Sequence, residues 1–436
     1  MVVLHEDHEG RLIMKDMTRR KFMKNSLITG AVLAVPFSKV RGANDDIRVA
    51  VAGINGRGRG LIGNFHDTPG VRVVALCDVD RNVLDREVKK FKDRNEKVDG
   101  YNDYRLMLKD KSLDIVCIAT PDHWHVPLAA HSVVAGKDVY VEKPLSHTIY
   151  EGRFLVNLAR KHKKIIQHGT QSRSYESFQD AVEYLQSGKL GKIRMAKAID
   201  SQLRGPIGRV PDSETPPGVN YDMWLGPAPK RPFNQNRYHY KWHWFWDYGT
   251  GDTGNDGVHQ IDIARWGLGV KLPNAVTCSG GQLFYDDDHQ TPDTQVATFE
   301  YDDVYLMYEM RLWCPYTLEG HDNGNIFYGD NGTVSIGRKG WQVTFKDGSK
   351  GPSGPRSGDT HTINFINAVR SRKASDLNAD VEVGHYSATL CHMANIAMRT
   401  GRRLKFDADR ERFIDDDQAN SYLTKKYRRG YELPTL

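Results

Sequence analysis

IRVAVAGINGRGRG, residues 47–60, is the stretch that decides the fold of this chain. Residues 47–54 are nearly continuous in apolar and β-branched side chains, the pattern of a strand buried on both faces. A glycine-dense turn follows at once: Gly53-Ile54-Asn55-Gly56-Arg57-Gly58-Arg59-Gly60. The dinucleotide fingerprint is G-x-G-x-x-G, whose glycines let backbone approach a pyrophosphate at a helix N-terminus. Asn55 takes the second glycine place here, with Gly56 beside it, so the loop is a variant. Its weight comes from its place between a strand and a helix.

Outward from that turn the pattern repeats. Residues 71–79, 113–120 and 138–141 read as further buried strands, and residues 81–95, 125–135 and 149–162 as amphipathic helices between them. Alternation of this kind implies a doubly wound parallel sheet with its ligand at the carboxyl ends of the strands. Asp78 ends the second strand, 25 residues after Gly53. A carboxylate there can bind both adenosine ribose hydroxyls and would repel a 2′-phosphate, which favours NAD over NADP.

The whole chain has 436 residues, 39% hydrophobic and 27% charged, enough for two or three domains of ordinary globular composition. The formal charge is +6, but residues 1–43 hold +4 of it, leaving a nearly neutral body. A nucleic-acid partner is therefore not expected. No apolar run approaches the roughly 20 residues of a membrane span. Five cysteines, Cys77, Cys117, Cys278, Cys314 and Cys391, form no C-x-x-C pair, so neither a zinc site nor a disulfide framework is indicated. Arg19 and Arg20, followed by Phe22, Lys24 and a mild apolar stretch, resemble a twin-arginine export signal. That reading places the protein in the periplasm or otherwise outside the cytoplasm, with cleavage near residues 40–44.

Three further segments narrow the reading: Thr120-Pro121-Asp122-His123-Trp124-His125, Glu142-Lys143-Pro144, and Asp256-Gly257-Val258-His259-Gln260-Ile261-Asp262. With the glycine loop, they resemble the motifs of the Gfo/Idh/MocA oxidoreductases in order, over residues 46–406. The resemblance implies an α/β chain: an N-terminal Rossmann sheet, doubly wound and parallel, and a C-terminal α/β domain on a large, open, mostly antiparallel sheet. Residues 193–200, 276–284, 294–301, 304–312, 334–336 and 342–345 read as strands of that sheet, and 360–372 and 381–400 as late helices. The expected division is a signal and upstream extension (1–43), an NAD-binding domain (44–167), a substrate and oligomerisation domain (168–406) and a tail (407–436). A homodimer or homotetramer is implied by resemblance.

NAD is the expected cofactor, held by Gly53, Asn55, Gly56, Arg57, Gly58, Asp78, Thr120, Pro121, His125, Glu142 and Lys143. Oxidising a secondary alcohol needs a proton acceptor and an aligned nicotinamide. Lys143, at the end of a central strand, suits the reacting oxygen, and His259 suits acid–base work near neutral pH. Asn255 stands one helical turn before His259, where the family usually has aspartate, and an amide cannot stabilise an imidazolium as a carboxylate would. Asp252 and Asp256 are candidates to compensate. Residues 220–248 are dense in aromatic rings interleaved with histidine, arginine and lysine, which suits carbohydrate and equally an interface. Arg173, Trp224, Tyr238, Trp244, Asp256 and His259 are the expected substrate contacts. His123-x-His125 and His239-x₃-His243 lack a convincing third ligand, and the resemblance implies no metal.

The expected function is NAD-dependent oxidation of a sugar or glycoside with the cofactor retained. The alternative is a redox-neutral NAD-dependent glycosidase or lyase that oxidises, eliminates, rehydrates and reduces. A non-catalytic NAD- or sugar-sensing protein is the third possibility.

Overall fold

The computed structural model describes residues 46–436 and two short strands, Val2–Glu6 and Leu12–Asp16, which pair antiparallel. Those strands belong to one unit, Met1–Asp46, and Ile47–Leu436 forms the other. The twin-arginine stretch and the cleavage region lie outside the described residues.

Six strands build the first sheet: β1 (Ile47–Ala52), β2 (Val71–Cys77), β3 (Asp99–Tyr101), β4 (Ile115–Ile118), β5 (Asp138–Val141) and β6 (Ile166–His168). All pair in parallel, in the order β3-β2-β1-β4-β5-β6. The order reverses between β1 and β4, which opens a crevice at their carboxyl ends. Alternation along β1 shows why a continuous apolar strand is needed. Val49 and Val51 pack with Leu61, Phe65 and Phe365 on one face, and Ala50 and Ala52 pack with Val126 and Leu155 on the other. Burying Phe65 completely contributes about 2–3 kcal/mol. Phe365 comes from the helix His361–Ser371, so a late segment of the chain returns to cover the first sheet.

The second sheet has ten strands: β7 (Ile193–Ser201), β8 (Ala275–Gly281), β9 (Thr294–Glu300), β10 (Tyr305–Arg311), β11 (Asn323–Gly329), β12 (Gly332–Gly337), β13 (Gly340–Phe345), β14 (Lys350–Pro355), β15 (Leu404–Asp407) and β16 (Arg412–Phe413). Their order is β14-β13-β12-β11-β7-β10-β9-β8-β15-β16, antiparallel throughout except between β7 and β10. Ala196, Ala198, Tyr308 and Phe327 turn one face inward, into the same core as Val258 and Ile261 of the helix Gly257–Leu268. The helix Val381–Thr400 spans the expected residues. Asp380 caps its start by accepting the Glu382 N–H, and Gly401 ends it at φ +68°.

Residues 407–436 continue into β16 and then pack: Phe413 and Tyr431 are buried, and Lys425 pairs with Glu151 at 2.9 Å. The five cysteines are buried thiols. Among the described residues no helix is long and apolar enough to cross a membrane.

Candidate active site

The glycine turn works by close contact. Gly53 sits at φ +78°, and a Cβ there would lie 2.6 Å from the Ala119 carbonyl oxygen. A Cβ on Gly58 would lie 2.0 Å from Gly53 O, so this glycine serves helix-to-strand packing. A Cβ on Gly56 would meet nothing within 4 Å. Asn55, in the place of the missing glycine, accepts from Arg86 Nη2 at 3.2 Å and lies 3.1 Å from His239 Nδ1. At the end of β2, Asp78 accepts the backbone N–H groups of Ile54 (2.9 Å) and Asp80 (3.0 Å), while burial pushes its carboxyl up to about 6.

These turns wall a cavity of about 350 Å³. Gly53, Asn55, Gly56, Arg57, Asp78, Thr120, Pro121, His125, Glu142, Lys143 and Asn255 all line it, and Gly58 does not. The hydroxyl of Thr120 is buried without a partner among the described residues. A glycine cradle at strand ends, a strand-end carboxylate and an orphaned hydroxyl together fit a dinucleotide.

The chemistry gathers where E-K-P meets the helix carrying His259. Glu142 pairs with Arg57 at 2.8 Å. Burial alone would raise its carboxyl, but Arg57 and Lys143 carry it below the usual range. Lys143, joined to Pro144 by a cis peptide bond, donates to Asn255 Oδ1 at 2.8 Å and also to the Asn255 carbonyl. The Asn255 amide donates onward to Asp252 at 2.7 Å, and Arg204 joins Asp252 (3.1 Å) to Asp256 (2.8 Å). Asn255 therefore bridges the Lys143 ammonium and the Asp252 carboxylate, which lies one helical turn earlier. Asp200, Asp252 and Asp256 bring carboxylate oxygens within 4.8 Å of one another, with Gln202 bonded to both Asp200 and Asp256.

His259 is carried down to about 4 by burial and then by the Lys143 ammonium. It is a neutral base at neutral pH, and its Nδ1 has no partner among the described residues. It lines a second cavity of about 270 Å³ together with Asp256, Gln260 and Tyr175, and Arg57 lines both cavities. His125 stitches motifs together: its Nδ1 is 2.6 Å from the Pro144 carbonyl and its Nε2 2.8 Å from that of Thr120.

Part of the aromatic segment reaches the first cavity. Trp224, Tyr238, His239, Tyr240, Trp242 and His243 line the first cavity, opposite the glycine turn. Tyr238 donates to Asp80 at 3.2 Å, and His239 reaches the same carboxylate at 3.3 Å. Two expected substrate contacts line neither cavity. Arg173 is buried in a two-point pair with Asp262 (2.7 and 3.0 Å), and Trp244 is a core ring against His289. A buried ion pair needs its partner for charge balance, and the Arg173 guanidinium also lies over the Trp266 ring, 4.8 Å from its centroid. Sequence reasoning missed Arg204, Gln202, Gln260 and Asn325. Gln260 sat inside a quoted motif, but nothing flagged the other three, which lie on or after strands with no motif.

Residues 47–170 match the family model described as the NAD-binding Rossmann fold of the Gfo/Idh/MocA oxidoreductase family, and residues 206–433 match that of its C-terminal alpha/beta domain. A glycosyl hydrolase family 109 protein from Shewanella sp. (strain ANA-3) is 33% identical over 171 residues, covering 34% of this chain and 38% of its own length. One from Shewanella pealeana is 32% identical over 125 residues, 28% of this chain and 27% of its own. The chain thus spans well under half the length of the curated relatives it matches. The WlbA dehydrogenase from Bordetella pertussis, solved with NADH and UDP-GlcNAcA, aligns at TM-score 0.64 and 18% identity over 84% of this chain and 100% of its own. An aldose-aldose oxidoreductase from Caulobacter crescentus, complexed with glycerol, aligns at 0.62 and 16% over 83% and 100%. At such identities the likeness is one of fold.

Proposed function

The chain belongs to the Gfo/Idh/MocA oxidoreductase family, with an NAD-binding Rossmann domain, and we propose that it oxidises a sugar or glycoside while keeping its cofactor between turnovers. The observation that carries this reading is the pair of cavities meeting at Arg57. Lys143 faces the nucleotide side, and the neutral base His259 faces the other. Bound NAD would supply the hydride acceptor.

Lys143 is fixed by two bonds to Asn255 and keeps a third N–H for the reacting oxygen, where it stabilises developing negative charge. His259, neutral and lining the second cavity, takes the hydroxyl proton. Asn255, its amide oriented by Asp252, keeps the lysine on target. The aromatic wall shields the nucleotide side from water, which suits a cofactor that stays. The twin-arginine reading points the same way. An enzyme exported to the periplasm has little free NAD to draw on and gains from restoring its cofactor within each cycle. Partners follow from the same reading: a small sugar or glycoside, and further copies of this chain in a dimer or tetramer.

A redox-neutral glycosidase is the second reading, favoured by the glycosyl hydrolase family 109 names of the curated relatives. It uses the same Lys143 and His259, with elimination and rehydration inserted between oxidation and reduction. Denaturing the protein purified without added nucleotide, and assaying the supernatant for NAD and NADH, tests retention. Stoichiometric release is expected, and a nucleotide-free protein that binds NAD only weakly overturns it. Screens with p-nitrophenyl glycosides and with sugar pairs then separate the two readings.

A further inference from the structure

The nucleotide cavity has two sides that come from distant parts of the chain and meet at one joint. Trp124 stands on one side, in the helix Asp122–Val134, and Met223 and Trp224 stand on the other, in the short helix Tyr221–Leu225. The sides touch directly, because Trp124 Nε1 donates to the carbonyls of Met223 (3.1 Å) and Trp224 (3.0 Å). Just beyond, the chain turns at Gly226, where φ is +49°. A Cβ there would lie 2.1 Å from Trp124 Cζ2, so the turn is pressed against the indole as a larger residue could not be. A nucleotide walled by both sides leaves most readily when they part, so whatever ties them together slows its release.

The end of the chain binds this joint. Arg428 donates through Nε to the Gly226 carbonyl at 2.8 Å, through Nη1 to the Asp222 carboxylate and through Nη2 to the Asp222 carbonyl. A planar guanidinium can hold three acceptors in this way, and an ammonium on a flexible stem cannot hold them in one plane. Tyr431 donates to the other Asp222 carboxylate oxygen at 3.1 Å, and its buried ring stands edge-on to Trp124, 5.6 Å between centroids. The same segment is anchored to the first half before it reaches the joint. The Leu423 carbonyl accepts the Tyr150 N–H at 2.9 Å, one of the donors that a helix leaves free in its first turn. Lys425 and Tyr427 both bond the buried Glu151, at 2.9 and 2.8 Å. Moving residues 222–227 away from Trp124 therefore breaks the Arg428 and Tyr431 contacts as well as the two indole bonds.

We propose that residues 423–431 are a strap that slows release of the nucleotide, with Arg428 and Tyr431 as positioning residues for the cavity wall. The inference rests on the reading that the cofactor is retained and names the part of the chain that retains it.

Stopped-flow measurement of NADH dissociation tests it. Protein loaded with NADH is mixed with excess NAD, and the loss of bound nicotinamide fluorescence gives the rate. R428A is expected to speed release at least about tenfold and Y431F, which removes one hydroxyl and keeps the ring, about threefold. R428K, with the charge but not the fork, should fall between R428A and the unaltered protein. R402A is the control: it breaks the exposed Arg402–Asp416 pair (2.7 Å) of the same terminal region and should leave the rate within about twofold. Release unmoved by R428A and Y431F, or quickened as much by R402A, would overturn the strap, and so would a fall in melting temperature of R428A with no change in release. The rates are read with added NADH. A protein that is purified without nucleotide therefore refutes retention, while the ratios between variants still decide the strap.

Discussion

The two cavities that meet at Arg57 are built in opposite ways. The nucleotide side is a row of turns at the ends of parallel strands, within residues 52–143, joined by the aromatic wall from residues 223–243 and by Asn255. The far side gathers Tyr175, His259, Gln260, Asn325, Arg338 and Arg356 from a helix, an antiparallel strand, the turn between β12 and β13, the loop after β14 and the residue before the helix Glu176–Gln186. A parallel sheet delivers every strand end to one edge, so short local motifs suffice there. An antiparallel sheet has no such edge, and its site residues arrive one at a time from distant parts of the chain. The first design is constrained by backbone geometry, the second by side-chain chemistry, and each should break in its own manner.

The sharpest separation of the two is His259→Ala. Turnover should fall about 10²- to 10⁴-fold, the usual worth of a positioned acid–base group. The NAD released on denaturation should be unchanged, because His259 does not line the nucleotide cavity. Loss of the nucleotide together with activity would show that the two cavities are one energetic unit.

A backbone change should do the reverse. Gly58→Ala drives a Cβ to 2.0 Å from the Gly53 carbonyl, a contact that only a shift of the turn relieves. Overpacking of this kind costs about 1–3 kcal/mol. The denaturation midpoint should drop and bound NAD should be lost, while sugar binding measured by calorimetry changes less. A variant that keeps its NAD would mean the turn can move aside, and the cradle would not be as rigid as its contacts imply.

Asp78→Ala addresses selectivity within the nucleotide side. The carboxylate that accepts the Ile54 and Asp80 amides also faces the cavity, where a 2′-phosphate would meet its charge. Removing it should narrow the preference for NAD over NADP by about tenfold, read from the two dissociation constants. An unchanged ratio would place the discrimination in some other residue of the wall.

How far each side could be read in advance follows from this contrast. The first sheet was legible as parallel and doubly wound, with four of its strands, because Gly53, Asp78, Thr120 and Lys143 each sit at the end of a strand whose apolar run announces it; β3 and β6, three residues each, were not. The second sheet was legible as mostly antiparallel from the family resemblance, but β11, β14, β15 and β16 were not, since NGNIFYG and KGPSGP are poor in β-branched residues and LKFD and RF are short. Their pairing comes from neighbouring strands, which sequence order does not disclose. The aromatic run at 220–248 was visible, but its place on the wall of the cavity that the glycine turn also lines was not. Stacking rings serve sugar and nucleotide alike, and sequence does not disclose that Tyr238 and His239 are clasped to Asp80 of the first half. Arg173 could not be placed from sequence, because an arginine near a predicted site reads the same whether or not an aspartate such as Asp262 already accepts from its Nε and Nη2.

The smallest expected effect tests the link between the two sides. Asn255→Asp restores the carboxylate that the family usually carries one turn before His259. The new charge would lie beside Lys143 and near the imidazole, and also near Asp252, to which the amide now donates at 2.7 Å. Negative charge favours the imidazolium, so the His259 pKa should rise from about 4 by up to about one unit. The base works only when neutral. Activity in the unaltered protein should therefore persist as pH falls and fail near 4, whereas the variant should lose it about one unit higher. At pH 7 the imidazole is neutral in both, so the rate there should agree within about threefold. A pH–rate profile between 3.5 and 8 checks this. An acid limb that does not move would mean that Asp252, acting through the amide, already exerts the full electrostatic effect of the missing aspartate. The asparagine would then be a relay and not a deficit.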